Sequence, residues 1–220
     1  MTREMTPTLH IDAYIDVICP WCLIGKRQLD KAVALFAQEA DAPAVTLRWH
    51  SVQLLPQVPA EGLDFVAFYE QRLGGPQAVL ARQAQVRQAA SQAGVEVHFD
   101  RIRRFPNSRS AHQLLALATE LLYPEAVVTL LDDLMCGYFQ RGEDIGDMHT
   151  LLALAQRHGL DQVTVADWIT SGQGIPQPVQ VPGVPYFVFN QSIALSGAQP
   201  VENLLRTMQA ARRVDHLQAA

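Results

Sequence analysis

The chain has 220 residues, 49% hydrophobic and 18% charged, with a formal net charge of -5. That balance excludes a disordered chain and lacks the basic stripe a nucleic-acid binder carries. The opening residues are polar and no run approaches the ~18 apolar residues of a membrane helix, so the expected location is cytoplasmic, with neither membrane nor nucleic acid as partner.

Residues 9–18 alternate apolar and polar positions and are rich in β-branched side chains, which predicts a strand. Cys19, Pro20, Trp21 and Cys22 follow directly. Leu23, Leu29, Val33 and Phe36, interleaved with Lys26, Arg27 and Lys31, then predict an amphipathic helix to about residue 39. Asp41 and Pro43 break it, and residues 45–50 read as a second strand. The first fifty residues thus form a β-α-β unit with the cysteine pair at its first strand-to-helix turn.

From 64 to 169 the signals are nearly all helical. Helices are expected over 76–93, entered by Pro76, over 108–122 with Ser108 as cap, and over 124–140, 148–158 and 162–170. Residues 95–99 read as extended. Between 172 and 182 two glycines and three prolines forbid a regular helix. Residues 186–189 form a compact apolar strand, Asn190, Gln191 and Ser192 turn the chain, and 193–195 pair back. A closing helix covers 201–213. The order is βαβ, a helical block, then ββα. It predicts an α/β protein with a thioredoxin-like core, residues 1–60 with 172–220, interrupted between its second and third strands by a helical domain over 61–171.

Three cysteines, Cys19, Cys22 and Cys136, do not suit a structural disulfide framework. A Cys-x-x-Cys at a helix start has its own chemical logic. Two intervening residues let the thiols close a small disulfide ring, and the unpaired N–H groups and positive dipole end of the helix stabilise a thiolate. Cys19, at the exposed beginning of the turn, is assigned as nucleophile and Cys22, one turn deeper, as resolving thiol. Pro20 presets the first helical turn and Trp21 sets an apolar ring beside the nucleophile. A zinc site would need further ligands; there is no second cysteine pair and the seven histidines are scattered. No metal and no cofactor beyond the redox disulfide are expected.

Pro185, opening the apolar strand after Pro182, Gly183 and Val184, is expected to follow a cis bond, with Val184 pairing an extended substrate segment by β-addition. Asp16, three residues before Cys19, reads either as a buried base for the Cys22 proton or as a turn or capping aspartate; the second reading is preferred. Asn107 or Ser108 is read as a cap, His112 as a core residue, Cys136 as a buried inert thiol, and Trp49 and the aromatics of 65–69 as core.

The stretch 15–27 around the cysteine pair resembles the opening of the FrnE-like branch of the DsbA family. So do residues 107–112, Tyr138 and Phe139 with 144–146, residues 183–189 and residues 196–200, spread over nearly the whole chain in the family's order. The resemblance implies a thioredoxin fold with a helical insertion and dithiol–disulfide chemistry. Relatives usually carry a helix leading into the proline loop; the 172–182 segment replaces it here. The leading expectation is a cytosolic protein-disulfide reductase or isomerase acting on a disulfide-containing protein or small thiol, with glutathione as a candidate co-substrate. The alternatives are a glutathione-dependent isomerase similar to 2-hydroxychromene-2-carboxylate isomerase or the kappa-class transferases, which place a serine where Cys19 stands, and a chaperone module that has lost its redox function.

Overall fold

The computed structural model describes the backbone of residues 8–218 and the side chains of residues 8–213. The polar segment 1–7 and the side chain of His216, both part of the sequence reading, lie outside the described residues. The chain divides into two compact units. One holds residues 8–15, 21–50 and 180–218, and the other holds residues 16–20 and 51–179. The second is broader than the 61–171 block marked out by helical signals, and it takes in the turn that carries Cys19.

The first unit is a four-stranded sheet in the order β2-β1-β5-β6 with helices α1 and α8. β1 (Thr8–Ile15) buries every second residue, Leu9, Ile11, Ala13 and Ile15, as its alternation requires. α1 (Pro20–Phe36) covers them with Leu29, Ala32 and Phe36. β2 (Ala44–Ser51) lies beside β1. β5 (Tyr186–Phe189) runs antiparallel to β1 with Ile11 opposite Phe189 and Ala13 opposite Phe187. His10 and Asn190 help lock that register: the Asn190 N–H donates to the His10 carbonyl and the His10 N–H donates to the Asn190 side-chain Oδ1, each at 2.8 Å. Asn190 and Gln191 take left-handed φ values of 43° and 56° and turn the chain into β6 (Ile193–Ser196). Leu204, Met208 and Ala211 of α8 (Val201–Gln218) complete this core, where each large apolar side chain contributes roughly 1.5–3 kcal/mol.

The second unit is helical. α2 (Phe65–Leu73) starts at Asp64, whose side chain accepts from the Ala67 N–H, and stops at Gly74 with φ 88°. α3 (Pro76–Gln92) enters on its proline. α4 (Arg109–Leu121) buries Leu114, Leu117 and Ala118 and packs against α5 (Pro124–Cys136), α6 (Met148–Arg157) and α7 (Gln162–Thr170). Asp147 and Asp161 cap α6 and α7.

Four details depart from expectation. Residues 95–98 are not a strand; a 3-10 turn follows at Phe99–Arg101. The helix expected to reach residue 140 ends at Cys136 and widens into a π-turn, Gly137–Arg141, closed by Gly142 at φ 71°. Leu63–Asp64 (β3) and Arg104–Phe105 (β4) form a two-residue antiparallel ladder too short to carry a periodic signal. Ser108 makes no capping bond; the Arg109 N–H donates instead to Asn107 Oδ1 at 2.9 Å. No helix among the described residues is long and apolar enough to cross a membrane.

Candidate active site

The strand-to-helix turn after β1 is closed by its own backbone: the Cys19 N–H donates to the Asp16 carbonyl at 3.0 Å. Pro20 opens α1, where its missing N–H is no loss. The first turn of α1 holds no acidic residue, so no side chain of that turn offsets the positive end of the helix dipole. Cys19 was expected to be exposed. It retains only 9% of its surface, against 0% for Cys22, so the order of accessibility follows the assigned roles while the nucleophile is more enclosed than expected. Trp21 is half-buried.

Asp16 is fully buried and serves the turn twice. Its carbonyl holds Cys19, and its carboxylate accepts from the Ile18 N–H at 3.3 Å and the Leu54 N–H at 2.8 Å. A third partner comes from far along the chain: His112 Nε2 of α4 lies 3.0 Å from Asp16 Oδ1, both side chains at 0% exposure. The turn reading of Asp16 and the core reading of His112 therefore describe one pair, which sequence reasoning did not join. His112 Nδ1 and, at the residue preceding α4, Ser108 Oγ are buried with no hydrogen-bond partner among the described residues.

Two phenols complete the electrostatic surroundings in the same unit. Burial pushes Tyr69 up to about 12, and the charge of Cys19 raises it further while Arg72 opposes. Burial also holds Tyr138 well above the ordinary phenol range, with Tyr69, Asp144 and Asp16 adding to the effect. Both phenols stay neutral at physiological pH and keep their O–H. The aromatics of 65–69 were read simply as core. Phe65 is core, but Phe68 and Tyr69 are only half-buried; Phe68 stacks on Phe105 at 4.0 Å and Tyr69 meets the same ring edge-on at 5.8 Å.

On the sheet unit, the Val184–Pro185 peptide is cis and Pro185 is buried. It rests against Gly25, one turn along α1 from Cys22. A Cβ at Gly25 would meet Pro185 Cγ at 2.7 Å and Phe187 Cζ at 3.3 Å, so only glycine lets the proline loop approach this helix. The resemblance had covered Gly25 without giving it a role.

Other sequence candidates lie elsewhere. Asn107 bonds to Gln53 at 2.7 Å and to the Val58 carbonyl, tying the entry of α4 to the preceding loop. Cys136 is half-buried at the end of α5, where the helix widens, and is not sealed as expected. Trp49 packs partly buried on the sheet core, with Lys26 Nζ 5.7 Å from its ring centre. Residues 172–185 contain no helix. Among the described residues no group of three or more His, Cys, Asp or Glu side chains could hold a metal ion.

Comparison with known proteins gives consistent matches. An uncharacterized protein of Bacillus subtilis, YwbO, is 27% identical over 154 residues, which are 70% of this chain and 68% of that protein. The crystal structure of a probable DsbA oxidoreductase from Streptomyces coelicolor, SCO1869, superposes with a TM-score of 0.75 at 24% identity, covering 92% of this chain and 89% of that one. The cytosolic disulfide reductase DsbM from Pseudomonas aeruginosa, solved with GSH, superposes with a TM-score of 0.56 at 16% identity over 97% and 99% of the two chains. These superpositions share the fold: the four-stranded sheet interrupted by a helical region is that of a DsbA-like thioredoxin protein. The family model for the DSBA-like thioredoxin domain matches residues 10–209 and so takes in the strands, the cysteine turn, the helices and the proline loop together; the chain belongs to that family.

Proposed function

We propose that this protein is a thiol–disulfide oxidoreductase working with Cys19 and Cys22, and that in a cytosolic setting it reduces or isomerises disulfides. The observation that carries the reading is the Cys19-Pro20-Trp21-Cys22 start of α1, with the more accessible thiol first and no acidic residue in the first helical turn. Cys19 thiolate attacks one sulfur of a substrate disulfide. A Cys19–substrate disulfide forms, the substrate S–S bond breaks, and the departing thiolate takes a proton from solvent. Cys22, losing its proton, attacks Cys19 Sγ. The second substrate thiolate leaves and the enzyme holds the Cys19–Cys22 disulfide. Two electrons have passed to the substrate, and two equivalents of a small thiol such as glutathione, or one protein dithiol, return them. An extended substrate segment runs beside Val184 and Pro185 in this reading.

The test is reduction of insulin disulfides driven by dithiothreitol. Wild type is expected to turn over, Cys19→Ser to be inactive, and Cys22→Ser to accumulate a mixed disulfide seen by mass spectrometry. Wild type no faster than Cys19→Ser would overturn the reading.

A further inference from the structure

A cavity of about 310 Å³ opens in the helical unit around the start of α4, at the lower end of the roughly 300–1,000 Å³ of small-ligand sites. Pro56, Val58 and Ala60, in the loop after β2, supply its apolar lining. Asn107, Arg109 and Ser110 supply the polar lining, and Gly146 completes it. The lining holds one cation and no carboxylate. The Asn107 carboxamide builds the cavity: its Oδ1 accepts from the Arg109 N–H at 2.9 Å and from Gln53 Nε2 at 2.7 Å, and its Nδ2 donates to the Val58 carbonyl. Loop and helix are thus tied before any ligand arrives, which lowers the ordering cost of binding. On the Gly146 side the nearby carboxylate of Asp144 already accepts from the Gly146 N–H at 3.0 Å.

The Arg109 guanidinium takes no part in that framework. It is exposed, and it has no side-chain hydrogen bond or ion pair among the described residues. Other arginines of the same unit are engaged, Arg141 and Arg157 with Asp133 and Arg101 with the Gln140 carbonyl. A guanidinium fork with a hydroxyl beside it suits a carboxylate, and small apolar side chains suit the short carbon stem that carries one. The cavity also adjoins the cysteine turn. Its loop hangs on Asp16, since the Leu54 N–H donates to Asp16 Oδ2 at 2.8 Å. Its helix does too, since His112 Nε2 lies 3.0 Å from Asp16 Oδ1, and His112 stands three residues from Arg109, about 4.5 Å along the helix axis. The Asp16 carbonyl accepts from the Cys19 N–H. We propose that this cavity takes a carboxylate of the disulfide substrate at Arg109 and so makes the protein selective for acidic disulfides. The inference rests on the redox reading above and names its substrate class.

The experiment uses the full chain, reduced beforehand, with dithiodipropionate or its uncharged diamide as oxidant. Enzyme dithiol and diacid yield the Cys19–Cys22 disulfide and two molecules of mercaptopropionate, and the loss of enzyme thiols is read by maleimide labelling. Each rate is divided by that of the same disulfide with dithiothreitol alone, which removes intrinsic reactivity. Wild type is expected to prefer the diacid roughly tenfold, the size of one hydrogen-bonded contact to a charged group. Arg109→Gln loses that preference. Ala60→Leu keeps the charge, fills the cavity and loses it too. Arg103→Gln removes the same charge from an exposed position outside the lining and keeps the wild-type preference. A wild type indifferent to substrate charge would overturn the inference alone. Equal losses in Arg109→Gln and Arg103→Gln would do the same, since they mean general attraction by charge. A second pair, a peptide disulfide with glutamate or glutamine beside each cysteine, separates two sources of the carboxylate. Preference confined to the small diacid assigns the cavity to a free acidic thiol compound, and preference for the glutamate peptide assigns it to a protein substrate. A wild type that no disulfide oxidises would overturn the redox reading together with the inference.

Discussion

Two carboxylates in the helical unit are each bonded to a histidine, and they could hardly be used more differently. Asp16 has no exposed surface and meets two backbone N–H groups and His112. Asp133 is 25% exposed and meets Arg141 at 2.6 Å, Arg157 at 3.3 Å and His158 at 3.2 Å, with Glu143 on the far side of Arg141 at 2.7 Å. At Asp133 burial pushes the carboxyl up, but bonds from His158, Arg141 and Arg157 outweigh it and hold the carboxyl below its ordinary value. The same cluster raises Arg141, chiefly through Glu143. Solvent and counter-charges absorb whatever Asp133 does, so the cluster ties α5 to the π-turn and α6 and goes no further. Asp16 has no exposed surface and no arginine or lysine among its hydrogen-bond partners, and its bonds tie the cysteine turn to Leu54 and to α4. A carboxylate–histidine contact takes its meaning from burial and from the partners that complete it.

The comparison breaks most visibly at Asp16. Asp16→Ala leaves two backbone N–H groups and the His112 donor buried without an acceptor, and is expected to cost about 3–5 kcal/mol in urea unfolding. A loss under about 1 kcal/mol would place Asp16 with the surface acids. A smaller effect follows from acid. Because the Asp133 carboxyl is depressed in the folded protein, its stabilisation is fully present above the unfolded value of about 3.9 and fades as pH falls through the lower folded value. Acid unfolding of wild type against Asp133→Asn measures that window, and the two curves are expected to converge at its acidic end. The smallest effect is Arg141→Ala, expected to cost under about 1 kcal/mol and less in high salt. A salt-insensitive loss as large as that of Asp16→Ala would erase the distinction between the two centres.

The cysteine turn and the proline loop were legible because each is a short motif with its own punctuation. The strand and helix order was legible because β1, α1 and β5 carry long or strongly periodic apolar patterns. The Asp16–His112 pair was not, since 96 residues separate the partners and each has an ordinary local explanation, one as a turn residue and the other as a core residue. Tyr69 was hidden in an aromatic run that reads as core, and Gly25 lay in a helix where glycine has no local purpose. Of the two cap candidates it is Asn107, one residue earlier than Ser108, that takes the bond, a choice that serine's good capping chemistry in isolation does not reveal.

By itself the amino-acid sequence determined which reactive side chains open α1 and where in the chain they stand. A Cys-x-x-Cys is local, and a strand-to-helix turn follows from periodicity over a few residues. Only the tertiary structure decided what lies around those side chains: a buried acid bonded to a distant histidine, neutral phenols of which one feels the Cys19 charge, and a proline loop admitted by one glycine. Fields and contacts depend on distance in space, and residues far apart in the chain acquire that distance only when it folds.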